Sequence, residues 1–352
     1  MLRPGRAGRR HTPRNMVASH DDLPQAMPKP IKLSCALLLI LLLLPAPAAA
    51  WGPDGHAWIN HAAAKKIPSS MPKFLRDAAD RMAYLGPEPD RWRSTTEPFL
   101  KNAQEADHYI DLERLEGLGE LPIGRYEFYK RLYEKRATLS GPKADELLPE
   151  RVGLQPYITM EVYGRLKAAL REYRDLKTAG KDTRAVEQTA VFYAAWLGHY
   201  VADGSQPLHT TIYYNGWFGE NPQGYTITND IHWKFEGVFV AANLNEKQFA
   251  GLIKDPVKLG DPFRNYLAYL NESFALVPAV YELKKKGAFE GEGTPESVDF
   301  TRQRLAAGAQ MLLNLWYTAW IESAEPLPPW NAPAAVTQHA VPQVTSSPPQ
   351  GA

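Results

Sequence analysis

Cysteine is almost absent: the 352 residues include one, Cys35. It falls within the first 50 residues, a stretch that reads as a removable export segment, so the chain beyond it can form no disulfide and offers no thiolate. That excludes cysteine-ligated zinc, iron–sulfur clusters and cysteine nucleophiles, and a metal site would have to be built from histidine and carboxylates. A surplus of positive charge is missing too. Residues 1–50 carry seven Lys/Arg and two Asp/Glu, which leaves 33 basic and 37 acidic residues after them, net −4. This balance argues against holding duplex nucleic acid through a wide basic face. No run of alternating polar and apolar residues marks a strand, and no Ser–His–Asp set or phosphate-binding glycine loop stands out.

What is present begins with the export signal. Lys29 and Lys32 form a positive flank, Leu33 to Leu44 an apolar core, and Ala48-Ala49-Ala50 a small-residue cleavage site. Twelve core residues fall short of the roughly 20 that a membrane-spanning helix needs. Cleavage after Ala50 is expected to leave Trp51 as the free N-terminus of a secreted or periplasmic protein with no transmembrane anchor. The residues before Met27 make an unusual leader, and Met16 or Met27 is an alternative start. A composition 44% apolar and 22% charged is that of a globular chain. Residues 51–326 are expected to form one domain, followed by a disordered Pro/Ala-rich tail over 327–352.

Within the domain, apolar residues recur at spacings of three and four. They predict helices over 57–67, 71–84, 122–138, 155–178, 184–202, 230–243, 261–286 and 295–323, an all-α fold. Val191, Ala194, Ala195, Leu197 and Val201 give the fifth of these a broad apolar surface. Asp261-Pro262 and Thr294-Pro295 read as N-caps followed by proline. The Tyr-, Thr- and Asn-rich stretch 210–228 reads as a long loop, and Lys284-Lys285-Lys286 as a solvated helix end.

The strongest signal is in the histidines. Seven follow the export segment: His56, His61, His108, His199, His209, His232 and His339. His199 and Asp203 are i,i+4, so one helix face presents both, and His232 and Glu236 repeat the arrangement. His209 follows the break after Asp203, and His108 precedes Asp111. Imidazole and carboxylate suit zinc, and i,i+4 pairs deliver two ligands to one ion. One such pair alone is more often a surface ion pair; several in one chain are not.

The ordered segments "WGPDGHAWIN", "PEPDRWR", "DHYIDLE", "HYVADGSQPLH" and "NDIHWKFE" resemble the zinc-dependent phospholipase C and single-strand-specific nuclease superfamily, from Trp51 to about Asn243. The resemblance implies a multi-helix bundle with long loops around a cleft holding three zinc ions. It implies one zinc on Asp90, His108, His199 and Asp203, a second on His209, His232 and Glu236, and a third on the Trp51 terminus, His56 and the far side of Asp203. It further implies phosphate-ester hydrolysis by zinc-activated water, with Asp90 orienting or deprotonating that water. His61 has no ligand counterpart and reads as packing or surface, and His339 as inert.

The resemblance leaves the substrate between single-stranded DNA or RNA and phospholipid. Tyr109 and Asp111 are the candidate base-stacking and base-edge residues, with core packing and a local cap as their alternatives. "HYID" leans towards nuclease, while "HWKFE", with Glu236 where the nucleases commonly have Asp, leans towards phospholipase C. Nuclease is the first expectation, phospholipase C the second, and a non-catalytic exported zinc-binding protein the third. A monomer is expected. The long stretch from His108 to His199 reads as a lid or an added wall.

Overall fold

Proline places many of the helix starts. In the computed structural model, which describes residues 51–93 and 96–327, seven helices reach nine residues or more. They are α1 (Gly52–Lys65), α2 (Arg125–Arg136), α3 (Gln155–Thr178), α4 (Arg184–Ser205), α5 (Pro262–Phe274), α6 (Val277–Lys285) and α7 (Pro295–Glu322). All but α2 and α4 have Pro in the first two positions, where a missing N–H costs nothing. Asp261 caps α5 by accepting from Arg264 N, and Thr294 forms a capping box with Ser297 at α7. The export segment, and the tail apart from an exposed Leu327, lie outside the described residues.

The described residues contain no β-strand; Ile110 and Gly153 form a lone antiparallel bridge. The 210–228 stretch runs as turns and irregular chain. None of the described helices is long and apolar enough to cross a membrane. Three helices differ from the sequence pattern. The expected 261–286 helix is two, because Pro278 has no N–H to donate and disfavours helical geometry before it. The 71–84 helix also breaks, at Ala78, into Lys73–Asp77 and Ala79–Leu85. The 230–243 helix is α over Ile231–Trp233, π over Lys234–Phe239 and α again over Val240–Asn243.

α4 and α7 pack on each other, and α1 and α3 both pack on them to form the core, with Ala79–Leu85 against α1. The five apolar positions expected on α4 are all buried. The C-terminal half of α4 is so enclosed that every residue from Leu197 to Ser205 is buried. α1 and α4 approach closely at Gly198, where a Cβ would lie 1.7 Å from Asn60 Oδ1. Asn60 is fixed there by donating to Met82 O and Ala195 O. α3 is thus a wall of the bundle, and α2 braces it from outside by stacking Phe128 on Tyr157 at 4.6 Å.

Candidate metal centre

α4 ends in polar residues at the middle of the molecule. His199 and Asp203, one turn apart, are both fully buried, and five other segments bring histidines and acids to or beside them. α1 supplies His56, the short helix Glu88–Trp92 supplies Asp90, and the 3₁₀ turn Glu105–His108 supplies His108. The 3₁₀ turn Pro207–His209 and the Ile231–Phe239 run bring His209, His232 and Glu236 alongside.

Three groups result, each able to hold a metal ion: His56, Asp90 and His199; His108, His199 and Asp203; His209, His232 and Glu236. The best defined is four-sided. His108 Nδ1 lies 3.1 Å from both His199 Nε2 and Asp203 Oδ2. His199 Nε2 lies 3.5 Å from Asp203 Oδ2, and both imidazole nitrogens lie 3.8 Å from Asp90 Oδ1. Four ligands about 2.0–2.1 Å from a tetrahedral zinc are about 3.3–3.4 Å apart, so the spacing suits that ion. Asp203 faces two ways, its other oxygen lying 3.3 Å from His56 Nε2. Asp90 does the same, with Oδ2 at 3.8 Å from His56 Nε2. In the third group His232 Nε2 and His209 Nε2 lie 3.0 and 3.4 Å from the two oxygens of Glu236.

Backbone carbonyls set the imidazole orientation. His199 Nδ1 donates to Gly86 O at 2.9 Å, His209 Nδ1 to His108 O at 2.7 Å, and His232 Nδ1 to Tyr214 O at 3.0 Å. Each bond leaves the Nε2 lone pair aimed into the cluster, the arrangement metal-binding histidines use. Gln206, fully buried, donates to Glu236 Oε2 at 2.8 Å while its carbonyl holds Leu208 N. The π-helical turn lies at Glu236, a feature frequent at functional sites.

Protonation favours ligand chemistry in part of the cluster. Burial pushes His56 down to about 4, and His108 and His199 well below the usual imidazole range, so all three are neutral near pH 7. Burial raises Asp203 well above the ordinary carboxylate range. Burial acts to lower His232 too, but the Glu236 carboxylate outweighs it and raises the imidazole. Glu236 itself, despite burial, is held low by His232 and His209. His56 Nε2, Asp90 Oδ2, Asp203 Oδ1 and His209 Nε2 are buried with no hydrogen-bond partner among the described residues, and Glu236 Oε1 has only its ion pair with His232. Such atoms are rare and costly unless something else binds them. Cations would satisfy them, so the donor set fits metal.

The remaining candidates take distinct places. The Trp51 indole is fully buried and donates to Ala202 O and Ser205 Oγ, both at 2.8 Å, on the turn that carries Asp203. This puts the Trp51 backbone at the head of the helix bearing His56. Trp51 is the one described non-glycine residue at positive φ, 51°, and Gly52 follows at 57°. Tyr109 is half-buried, its hydroxyl donating to Glu150 O at 2.6 Å. Asp111 is buried and accepts from Arg114 Nε at 2.9 Å. His61 stands apart from the cluster, its Nδ1 2.7 Å from Glu246 and its Nε2 3.3 Å from Asp80.

Sequence reasoning passed over Arg93 and Gln206. Arg93 donates to Asp90 Oδ1 at 2.7 Å and places a guanidinium beside the cluster. Its i,i+3 spacing from Asp90 within "PEPDRWR" was the available signal. Gln206 carries no such signal, since nothing in spacing says that an amide after a helix end turns inward. Comparison with family models, with curated proteins and with solved structures finds no match for this chain.

Proposed function

We propose that the chain is an exported zinc-dependent phosphodiesterase, related to the phospholipase C and single-strand nuclease superfamily, with unpaired DNA or RNA as its first substrate. One observation carries the reading: three buried histidine–carboxylate groups lie close together, two of them sharing His199 and joined through Asp203 and Asp90, the third tied to them by the His209 Nδ1 bond to His108 O, with several lone pairs that no described residue satisfies. A purely structural ion-pair cluster would close on itself and leave few such atoms.

Asp90, His108, His199 and Asp203 would hold one ion and His209, His232 and Glu236 a second. His56 and Asp203, with the amine of a chain beginning at Trp51, would hold a third. Zinc bound there supplies Lewis acidity, acidifying water and drawing charge from a phosphoryl oxygen. Asp90 is the candidate base: its Oδ2 is partnerless and its side chain is 9% exposed, so it can orient a water and take its proton. Arg93, bonded to the other Asp90 oxygen, fixes the carboxylate's orientation and presents a planar cation to an incoming phosphate. The low dielectric of the buried cluster strengthens each of these contacts.

For a nucleic-acid substrate, Tyr109 offers a ring whose orientation its Glu150 bond fixes, and a base edge would have to compete with Arg114 for Asp111. Phospholipase C is the second reading. It draws on Tyr214, Phe218 and Trp233, which are 56%, 55% and 40% exposed. Tyr214 packs its ring 5.9 Å from that of His232 and Trp233 adjoins it in the chain, so a lipid surface would meet aromatics beside the cluster. The test is one preparation, loaded with zinc and beginning at Trp51, assayed on single-stranded DNA, on RNA and on phosphatidylcholine vesicles. Chelator-sensitive cleavage of the nucleic acids is expected. Cleavage of phosphatidylcholine alone would select the second reading, and full zinc content with no activity on any of the three would leave only a zinc-binding protein.

A further inference from the structure

A second feature lies far from the metal centre. A cavity of about 450 Å³ opens between the turn after α1 and the C-terminal ends of α3 and α7. α3 separates the two: Gln155 at its start bonds Tyr200 O beside His199, while Thr178 at its end lines the cavity. At 1.5 Å per residue that is roughly 35 Å.

Four cations line the cavity, Lys73, Arg76, Arg174 and Lys177, and no acidic residue does. Lys73 meets the Asp77 carboxylate at 2.6 Å. The other three touch neutral acceptors: Arg76 donates to Ile67 O, Arg174 to Ser323 Oγ and Trp320 O, and Lys177 to the Tyr173 hydroxyl. No ion pair to a carboxylate engages these three among the described residues. Three like charges around one hollow repel one another, and an anion placed between them removes that repulsion. One wall is flat and rigid. The Arg174 guanidinium lies 3.2 Å from the centre of the Trp320 ring, and the indole is pinned by its bond to Ser70 O at 2.8 Å.

We propose that this cavity binds a phosphomonoester carrying a flat ring, of the nucleoside monophosphate class. Its dianionic phosphate meets Lys177, Arg76 and Lys73, and its ring lies along the Arg174–Trp320 stack, since guanidinium planes and aromatics both accept bases. The volume falls within the range of small-molecule sites and exceeds what a bare phosphate fills. The assignment rests on the cavity alone and stands whether or not the metal centre is catalytic.

Calorimetric titration of the zinc-loaded protein with 5′-AMP, phosphocholine and inorganic phosphate tests it. 5′-AMP should bind tightest, with inorganic phosphate at least tenfold weaker. Lys177→Glu, at an exposed position, should weaken 5′-AMP at least tenfold while leaving phosphodiester cleavage at wild-type rate, and Thr178→Asp should do the same. Because a phosphate ester can also meet the metal centre, the Lys177-dependent isotherm must persist in Asp203→Asn. Absence of a Lys177-dependent isotherm, its loss in a folded Asp203→Asn, inorganic phosphate bound as tightly as 5′-AMP, or a preference for phosphocholine would each overturn the proposal.

Discussion

Asp203 is the residue on which the cluster turns, because its two oxygens face different imidazoles, His56 on one side and His108 with His199 on the other. Of the imidazoles, Glu236 faces those of His209 and His232. Asp203→Asn removes the charge and half the acceptor capacity at two ions, whereas Glu236→Gln affects one. Metal analysis after dialysis should therefore find about two fewer ions per chain in the first variant and about one fewer in the second. Equal losses would mean that Asp203 does not bridge. Acid should also discriminate. A raised pKa keeps His232 protonated to higher pH than an ordinary imidazole, and a protonated nitrogen cannot ligate. His108 and His199, with depressed values, stay neutral well below pH 6.5. As pH falls, the ion at His209, His232 and Glu236 should leave first, with the one at His108 and His199 still bound. Metal content measured at pH 7.5, 6.5 and 5.5 checks this, and loss of all ions in a single step would contradict it.

At the scale of elements, α1 and α4 can bring His56 and His199 together because nothing projects from Gly198. Their rings stack at 4.0 Å, and a Cβ at Gly198 would collide with Asn60 Oδ1 and come within 2.9 Å of Leu312. Gly198→Ala should cost about 3 kcal/mol through overpacking. Gly164→Ala on α3, where a Cβ meets nothing within 4 Å, should be neutral or stabilising by up to about 1 kcal/mol from helix propensity. Thermal melting of the two variants separates the effects, and equal shifts would place the tolerance elsewhere. This contrast also marks how far the sequence could be read. α3 matches its expected limits, 155–178, because its apolar period is long and its ends carry Pro156 and a polar turn. The i,i+4 pairs His199/Asp203 and His232/Glu236 were legible for the same reason, local spacing on one helix. Illegible were the Pro278 break, the π turn over Lys234–Phe239, and the short helices Glu88–Trp92 and Pro98–Gln104, too brief for a period to emerge. That Asp90 from Glu88–Trp92 and His108 from the turn Glu105–His108 reach α4 came from resemblance, since contacts between residues 91 to 109 positions apart leave no mark on spacing.

Across the whole molecule the candidate ligands come from six segments, and beyond the first 50 residues there is no cysteine to tie them. The segments differ in what else holds them. α4 is enclosed by the core, and α3 and α7 bury long apolar faces of their own. The stretch from Glu88 to His108 is the opposite case. Of its short helices, Glu88–Trp92 buries Pro89 alone and Pro98–Gln104 buries Gln104 alone, while Phe99 is 90% exposed. Beyond Asp90 and His108, the two side chains it sends into the cluster, it is held at a few points, Trp92 against Trp196, Asp107 to Arg125 and Ala106 O to Leu154 N. Metal that binds the folded state stabilises it by about 4 kcal/mol per site at a thousandfold excess over the dissociation constant, and here that energy falls on a segment with little other burial. Chelation should therefore loosen residues 88–108 before the bundle melts. Hydrogen exchange with and without EDTA is the measurement. Protection should collapse over 88–108 and persist over α3, α4 and α7, and zinc should restore it. If protection over 88–108 survives chelation as fully as that of α4, the segment is held by packing, and its two ligands need no ion to keep their places.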